Sequence, residues 1–134
     1  MISVENILKK SKNIAIIGLS DKPNRPSYQV AEYLISQGFN IIPVNPTINF
    51  VFGLKSYPSF SDIPKDIKID IVDIFRKSDQ VLLIVEEIIK SKQKPIIWFQ
   101  EGILNLEAEK LAKKNGFEVI NGLCLMKTHQ KDLK

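Results

Sequence analysis

The sequence predicts an α/β fold, and three observations carry that prediction. Short apolar runs alternate with amphipathic helical segments along all 134 residues. The runs are continuously apolar rather than alternating, as strands covered on both faces are. The first of them, Asn13-Ile14-Ala15-Ile16-Ile17, opens straight into Gly18 and a loop that leads to a helix. That arrangement aims backbone N–H groups and a helix N-terminus at a phosphate.

Taken in order, residues 1–11 are a candidate N-terminal helix and residues 14–17 the first strand. A helix follows over 28–37, with Val30, Ala31, Leu34 and Ile35 on one face and Gly38 placed to end it. Residues 39–44 form the second strand. The stretch 45–68 is irregular, with a short helix expected after Ser61-Asp62. Residues 69–75 form the third strand, with Asp70, Val72 and Ile74 facing one way and Ile71, Asp73 and Phe75 the other. Ser78 is the expected N-cap of a helix ending near Lys90, with Val81, Leu82, Val85, Ile88 and Ile89 on one side. Residues 95–99 are the fourth strand. A helix over 105–115 starts at the cap residue Asn105, carries Glu107 and Glu109 early and Lys113 and Lys114 late, and stops before Gly116. Residues 117–120 make a short fifth strand. The expected architecture is a Rossmann-like three-layer sandwich around a five-stranded, mainly parallel sheet in the order 3-2-1-4-5. Its ligand crevice lies at the C-terminal edge, where strands one and four diverge.

Composition bounds the rest. Residues 1–134 are read as one domain, 44% hydrophobic and 25% charged, which excludes neither a packed core nor a soluble surface and suggests no disorder. Its apolar runs are strand-sized, so no membrane span is expected. No signal peptide is expected either, because the first ten residues include Glu5, Asn6, Lys9 and Lys10. With Cys124 as the single cysteine there is no internal disulfide, and cytoplasm is the expected compartment. The net charge of +4 comes from dispersed lysines without a basic and aromatic cluster. This argues against a nucleic-acid partner and suits a small polyanionic ligand.

Four segments are expected at the crevice. The first, Gly18-Leu19-Ser20-Asp21 and onward to Ser27, lacks the Gly-x-Gly-x-x-Gly pattern: Ser20 stands at the second glycine and Pro23 at the third. Ser20 offers a hydroxyl, Arg25 a bidentate phosphate contact, and Pro26 suits a first helical turn. The plain alternative is a solvated Arg25 in a proline-shaped turn. The second is Pro43-Val44-Asn45-Pro46. An NAD site would carry an acid here to grip the ribose, whereas the neutral Asn45 tolerates a phosphorylated ribose; the alternative is a simple turn. At the third, Phe75 and Arg76 suit an adenine platform or a phosphate contact, and Asp73 is expected to accept local hydrogen bonds. At the fourth, Gln100-Glu101-Gly102 follows the core residues Trp98-Phe99. Cys124 and His129 are the candidates for a nucleophile and base, with a buried apolar role favoured for Cys124. One Cys and one His give no metal-ligand spacing. A phosphate-receiver fold would need paired acids after the first strand, where Asp21 stands alone.

Together, Gly18-Leu19-Ser20, Asn24-Arg25-Pro26-Ser27-Tyr28, Pro43-Val44-Asn45-Pro46, Tyr57-Pro58-Ser59, Asp70-Ile71-Val72-Asp73-Ile74-Phe75-Arg76 and Gln100-Glu101-Gly102 resemble the small stand-alone coenzyme A-binding protein family. The resemblance covers nearly the whole chain. That family is similar to the N-terminal CoA-binding domain of the succinyl-CoA synthetase alpha subunit. It implies that coenzyme A or an acyl-CoA is held by Gly18, Leu19, Ser20, Asp21 and Arg25, by Pro43 and Asn45, by Phe75 and Arg76, and by Gln100, Glu101 and Gly102. The 3′-phosphate and pyrophosphate of CoA account for both the missing acid at Asn45 and the added Arg25. The synthetase's phosphohistidine lies in a second domain expected to be absent here. The resemblance therefore implies binding without ligase chemistry, as a carrier, sensor or regulator. Two other readings stand beside it: an acyl-CoA-processing enzyme using Glu101 or Cys124, and an NAD(H)-binding redox sensor.

Overall fold

The computed structural model describes residues 3–132. Helix α1 (Val4–Lys10) is capped by Ser3, whose hydroxyl accepts from the Asn6 N–H, and buries Ile7 and Leu8. Strand β1 (Asn13–Ile17) leads through the Gly18 loop into α2 (Pro26–Ser36). Pro26 opens that helix because its missing N–H has no intrahelical acceptor to lose. Val30, Ala31 and Leu34 are buried, whereas Ile35, expected on the same face, is exposed. Gly38 ends the turn at φ +93°, and β2 (Asn40–Val44) follows. Next comes a hairpin, β3 (Phe50–Val51) and β4 (Leu54–Lys55), turning on Phe52 and Gly53 at φ +56° and +72°. Both values suit the tight turn that matches strand twist.

The short helix expected after Asp62 is a 3-10 turn over Phe60–Asp62. Beyond it lie β5 (Ile71–Ile74), α3 (Val81–Lys90), β6 (Ile96–Gln100), α4 (Leu106–Lys114), β7 (Val119–Leu123) and α5 (Leu125–Asp132). Asn105 caps α4 as expected, its Oδ1 accepting from the Ala108 N–H at 2.9 Å. Ser78 does not cap α3. Residues 78–80 form a 3-10 turn, and the Ser78 hydroxyl accepts instead from the Leu104 N–H at 3.1 Å. Leu125 and Met126 are the only apolar residues of 125–132. Helix α5 forms there through tertiary contacts: Leu125 is fully buried, and His129 Nδ1 meets the Tyr33 hydroxyl of α2 at 2.7 Å.

The five main strands run β2-β1-β5-β6-β7, every neighbouring pair parallel. Tyr57 adds a one-residue parallel bridge to Val44 outside β2. Its N–H donates to the Pro43 carbonyl at 3.0 Å, and its carbonyl accepts from the Asn45 N–H at 2.9 Å. The 3-2-1-4-5 order is thus present with its outermost place reduced to Tyr57. The third long strand in the chain, β5, takes the place beyond β1, and each later strand moves on by one.

The strand residues divide between two cores. On one face Ala15, Ile17, Val72, Ile74, Ile97 and Phe99 pack with Val85 and Ile88 of α3 and Ala108 and Ala112 of α4. On the other, Ile14, Ile16, Ile71 and Trp98 pack under α1, α2 and α5. Each such buried isoleucine contributes about 1.5–3 kcal/mol. Asp73 stands in the second core, in register between Ile16 and Trp98, with no exposed surface and, among the described residues, no hydrogen-bond partner for either carboxylate oxygen. The local hydrogen bonds expected of Asp73 are made instead by Asp70, whose Oδ2 accepts from the Lys12 and Asn13 N–H groups at 2.9 Å each. The alternation places Asp70 at the solvated strand entry and Asp73 in the interior, where burial pushes its carboxyl well above the usual range.

Candidate functional site

The parallel strands end together at one edge, and the loops after β1, β2 and β5 meet there. Gly18 makes the meeting possible. It sits at φ +89°, and a Cβ at this position would lie 2.3 Å from the Phe75 carbonyl oxygen. Its N–H donates to the Val44 carbonyl at 2.8 Å, while Phe75 N–H donates to Ile17. A single residue therefore locks the three strand ends side by side.

The loop that follows is stiffened by its own hydrogen bonds. Ser20 N–H donates to Ser27 Oγ and Lys22 N–H to Ser20 Oγ, both at 3.0 Å, and Arg25 N–H donates to the Lys22 carbonyl. Among the described residues no side chain caps the first turn of α2. Its N–H groups and the positive end of its dipole are left for a ligand.

Asn45 fastens this loop to the end of β2. Its Nδ2 donates to the Leu19 carbonyl at 2.9 Å, and its Oδ1 accepts from both Thr47 N–H at 2.9 Å and Thr47 Oγ1 at 2.7 Å. Ser56 Oγ donates to its backbone carbonyl. Asn45 is thus more than a turn signal: it positions the wall of the crevice.

These loops enclose an open cavity of about 440 Å³. Gly18, Ser20, Asp21, Arg25, Asn45, Phe75 and Arg76 all line it, as the sequence leads one to expect. Lys22, Pro26 and Ser27, within the segment expected at the crevice though not named as contacts, line it too, and so do Thr47 and Ile48, which lie outside the expected segments. Lys22, Pro26 and Ser27 lie inside the anticipated loop, so segment position could have found them; Thr47 and Ile48 carry no comparable signal. Three cations, Lys22, Arg25 and Arg76, face one acid, Asp21, and no ion pair among the described residues involves any of the four.

Other expected residues lie outside this cavity. Leu19 turns its side chain into the core, and Pro43 sits inside β2. Gln100 is buried, its Oε1 accepting from the Leu125 N–H at 3.4 Å. Glu101 pairs with Lys127 at 3.1 Å, an interaction that raises the lysine's pKa, and Gly102 turns the chain at φ +87°. The physical reason is that β5 stands between β1 and β6. Cys124 is buried, and His129 is engaged by Tyr33. Among the described residues no group of three or more His, Cys, Asp or Glu could hold a metal, and no helix is long and apolar enough to cross a membrane.

The comparisons with known proteins agree with this geometry. An uncharacterized protein of Bacillus subtilis (strain 168), YneT, is 41% identical over 126 residues, covering 94% of this chain and 91% of that protein. The structure of a hypothetical protein from Pyrococcus horikoshii OT3 superposes with a TM-score of 0.91 at 38% identity, covering 99% of this chain and 94% of that one. The 4-hydroxybutyrate–CoA ligase [ADP-forming] of Nitrosopumilus maritimus (strain SCM1) is 31% identical over 125 residues, which cover 85% of this chain and 18% of the ligase. Residues 12–130 match the family described as the CoA binding domain, a span that contains every strand of the main sheet and every residue of the cation-lined cavity. With the fold, the crevice and that match in agreement, the chain belongs to the CoA-binding domain family.

Proposed function

We propose that this chain binds coenzyme A, free or acylated, across the C-terminal edge of its sheet, and acts in the cytoplasm as a carrier, sensor or regulatory module. The observation that carries the reading is the cavity in which Lys22, Arg25 and Arg76 stand, among the described residues, without ion-pair partners beside the uncapped start of α2. Three cations and a helix N-terminus suit a ligand with a pyrophosphate and a further phosphate. The neutral Asn45 at the end of β2 favours a phosphorylated ribose over the free diol of NAD. The similarity to one segment of a CoA ligase supports the same ligand. The residues proposed to contact it are Gly18, Ser20, Asp21, Lys22, Arg25, Asn45, Phe75 and Arg76, with the rim at Glu101 and Gly102 available to its far end.

Thermal unfolding with CoA, dephospho-CoA and NAD tests the proposal. CoA at about a hundred times its dissociation constant should add about 2.7 kcal/mol of stability. Dephospho-CoA should add less, and NAD least. Stabilisation by NAD and not by CoA refutes the reading.

A further inference from the structure

The cation-lined cavity has a neighbour. On the α3 side of Arg76 lies a second cavity of about 160 Å³, walled by Ile17, Val44, Pro46, Pro58, Phe60 and Ile84. Arg76 lines both cavities and is the one residue they share. The second is smaller than a site for a whole ligand of this kind and suits one ring system. Its chemistry also differs. Where the first presents cations, the second is chiefly apolar and presents a carboxylate, Glu87. Glu87 Oε2 accepts from both Ser61 N–H at 2.9 Å and Ser61 Oγ at 2.6 Å, which fixes the group against the Phe60–Asp62 turn. Oε1 has no hydrogen-bond partner among the described residues. A phosphate is repelled by such a wall; a flat apolar group that carries an N–H donor is matched by it.

We propose that this second cavity receives the purine base of the bound coenzyme A, with Glu87 Oε1 accepting a hydrogen bond from the exocyclic 6-amino group and Arg76 closing over the ring. The inference rests on the CoA reading above and adds a specificity residue to it. A fixed carboxylate accepts from an amine but opposes a carbonyl oxygen, since both then present lone pairs. Glu87 therefore selects adenine against a 6-oxopurine through one fixed polar contact.

Calorimetric titration of the full chain with CoA and with its 6-oxo analogue, in which hypoxanthine replaces adenine, tests the assignment. The wild-type protein should bind CoA about tenfold more tightly, or better, than the analogue. In Glu87→Gln the amide oxygen keeps the two Ser61 donors and the NH₂ group turns to the base, so the preference should vanish or reverse. Equal affinity of the wild-type protein for the two ligands overturns the role of Glu87 and leaves CoA binding standing. An undiminished preference in Glu87→Gln overturns it as well. Failure of both ligands to bind the wild-type protein overturns the CoA reading itself, and this inference with it. The wild-type comparison needs no variant to fold.

Discussion

Replacing Asp73 by asparagine should make the protein more stable, increasingly so as pH rises. The side chain lies fully buried between Ile16 and Trp98, with no hydrogen-bond partner for either oxygen among the described residues. Burial raises its pKa well above the ordinary 3.8, so the folded chain keeps a proton that the unfolded chain releases. Between 3.8 and the raised value the native state binds one more proton than the unfolded state. The stability this acid allows is fully present below 3.8 and is lost as pH climbs toward its folded pKa. The loss runs at about 1.4 kcal/mol per pH unit. Asp73→Asn preserves the shape and removes the ionisation. In urea denaturation at steps of about one unit from about pH 5 to about pH 8, the stability of the variant minus that of the wild type should widen at about 1.4 kcal/mol per unit until the folded pKa is passed. Taking the difference cancels every other titrating group. A gap that stays constant across this range, or narrows as pH rises, refutes the reasoning.

Three further outcomes follow from the site. Gly18→Ala places a methyl 2.3 Å from the Phe75 carbonyl at φ +89°. It should cost about 3 kcal/mol or more and lower Tm by about 10 °C; an unchanged melting curve would contradict the close approach of the two strand ends. Asn45→Asp turns a donor to the Leu19 carbonyl into an acceptor and brings a negative charge to the crevice. Stability should fall by about 1–3 kcal/mol, and CoA affinity measured by calorimetry should fall about tenfold or more. Arg25→Ala removes a cation with no ion-pair partner among the described residues. It should leave Tm near that of the wild type while weakening CoA binding by about 1.5–3 kcal/mol; intact affinity would return Arg25 to the role of a solvated loop charge.

The strands and the crevice were legible for a definite reason. A strand covered on both faces is apolar along nearly its whole length, so β1 and β5 announce themselves despite Asp73 within β5, and their ends are marked by Gly18 and by Phe75-Arg76. What stayed hidden depends on partners distant in sequence. Helix α5 carries only two apolar residues, Leu125 and Met126, and is held by Leu125 and the Tyr33 to His129 contact. Ser78 carries the chemistry of a cap and spends it on Leu104, 26 residues on. Alternation showed correctly that Asp73 faces away from Val72, yet not that its neighbours there would be Ile16 and Trp98.

The two margins of the sheet are finished differently. Beyond β2 the Tyr57 bridge and the β3–β4 hairpin occupy the margin, whereas no described strand pairs with the outer side of β7. That open ladder is short and is interrupted by Gly122 at φ +76°, next to a register shift between Phe99 and Gln100 on its partner. Irregularity of this kind denies an incoming strand a straight template. Among the described residues the sheet consequently has one occupied border and one roughened border, and its backbone resists indefinite growth through irregularity.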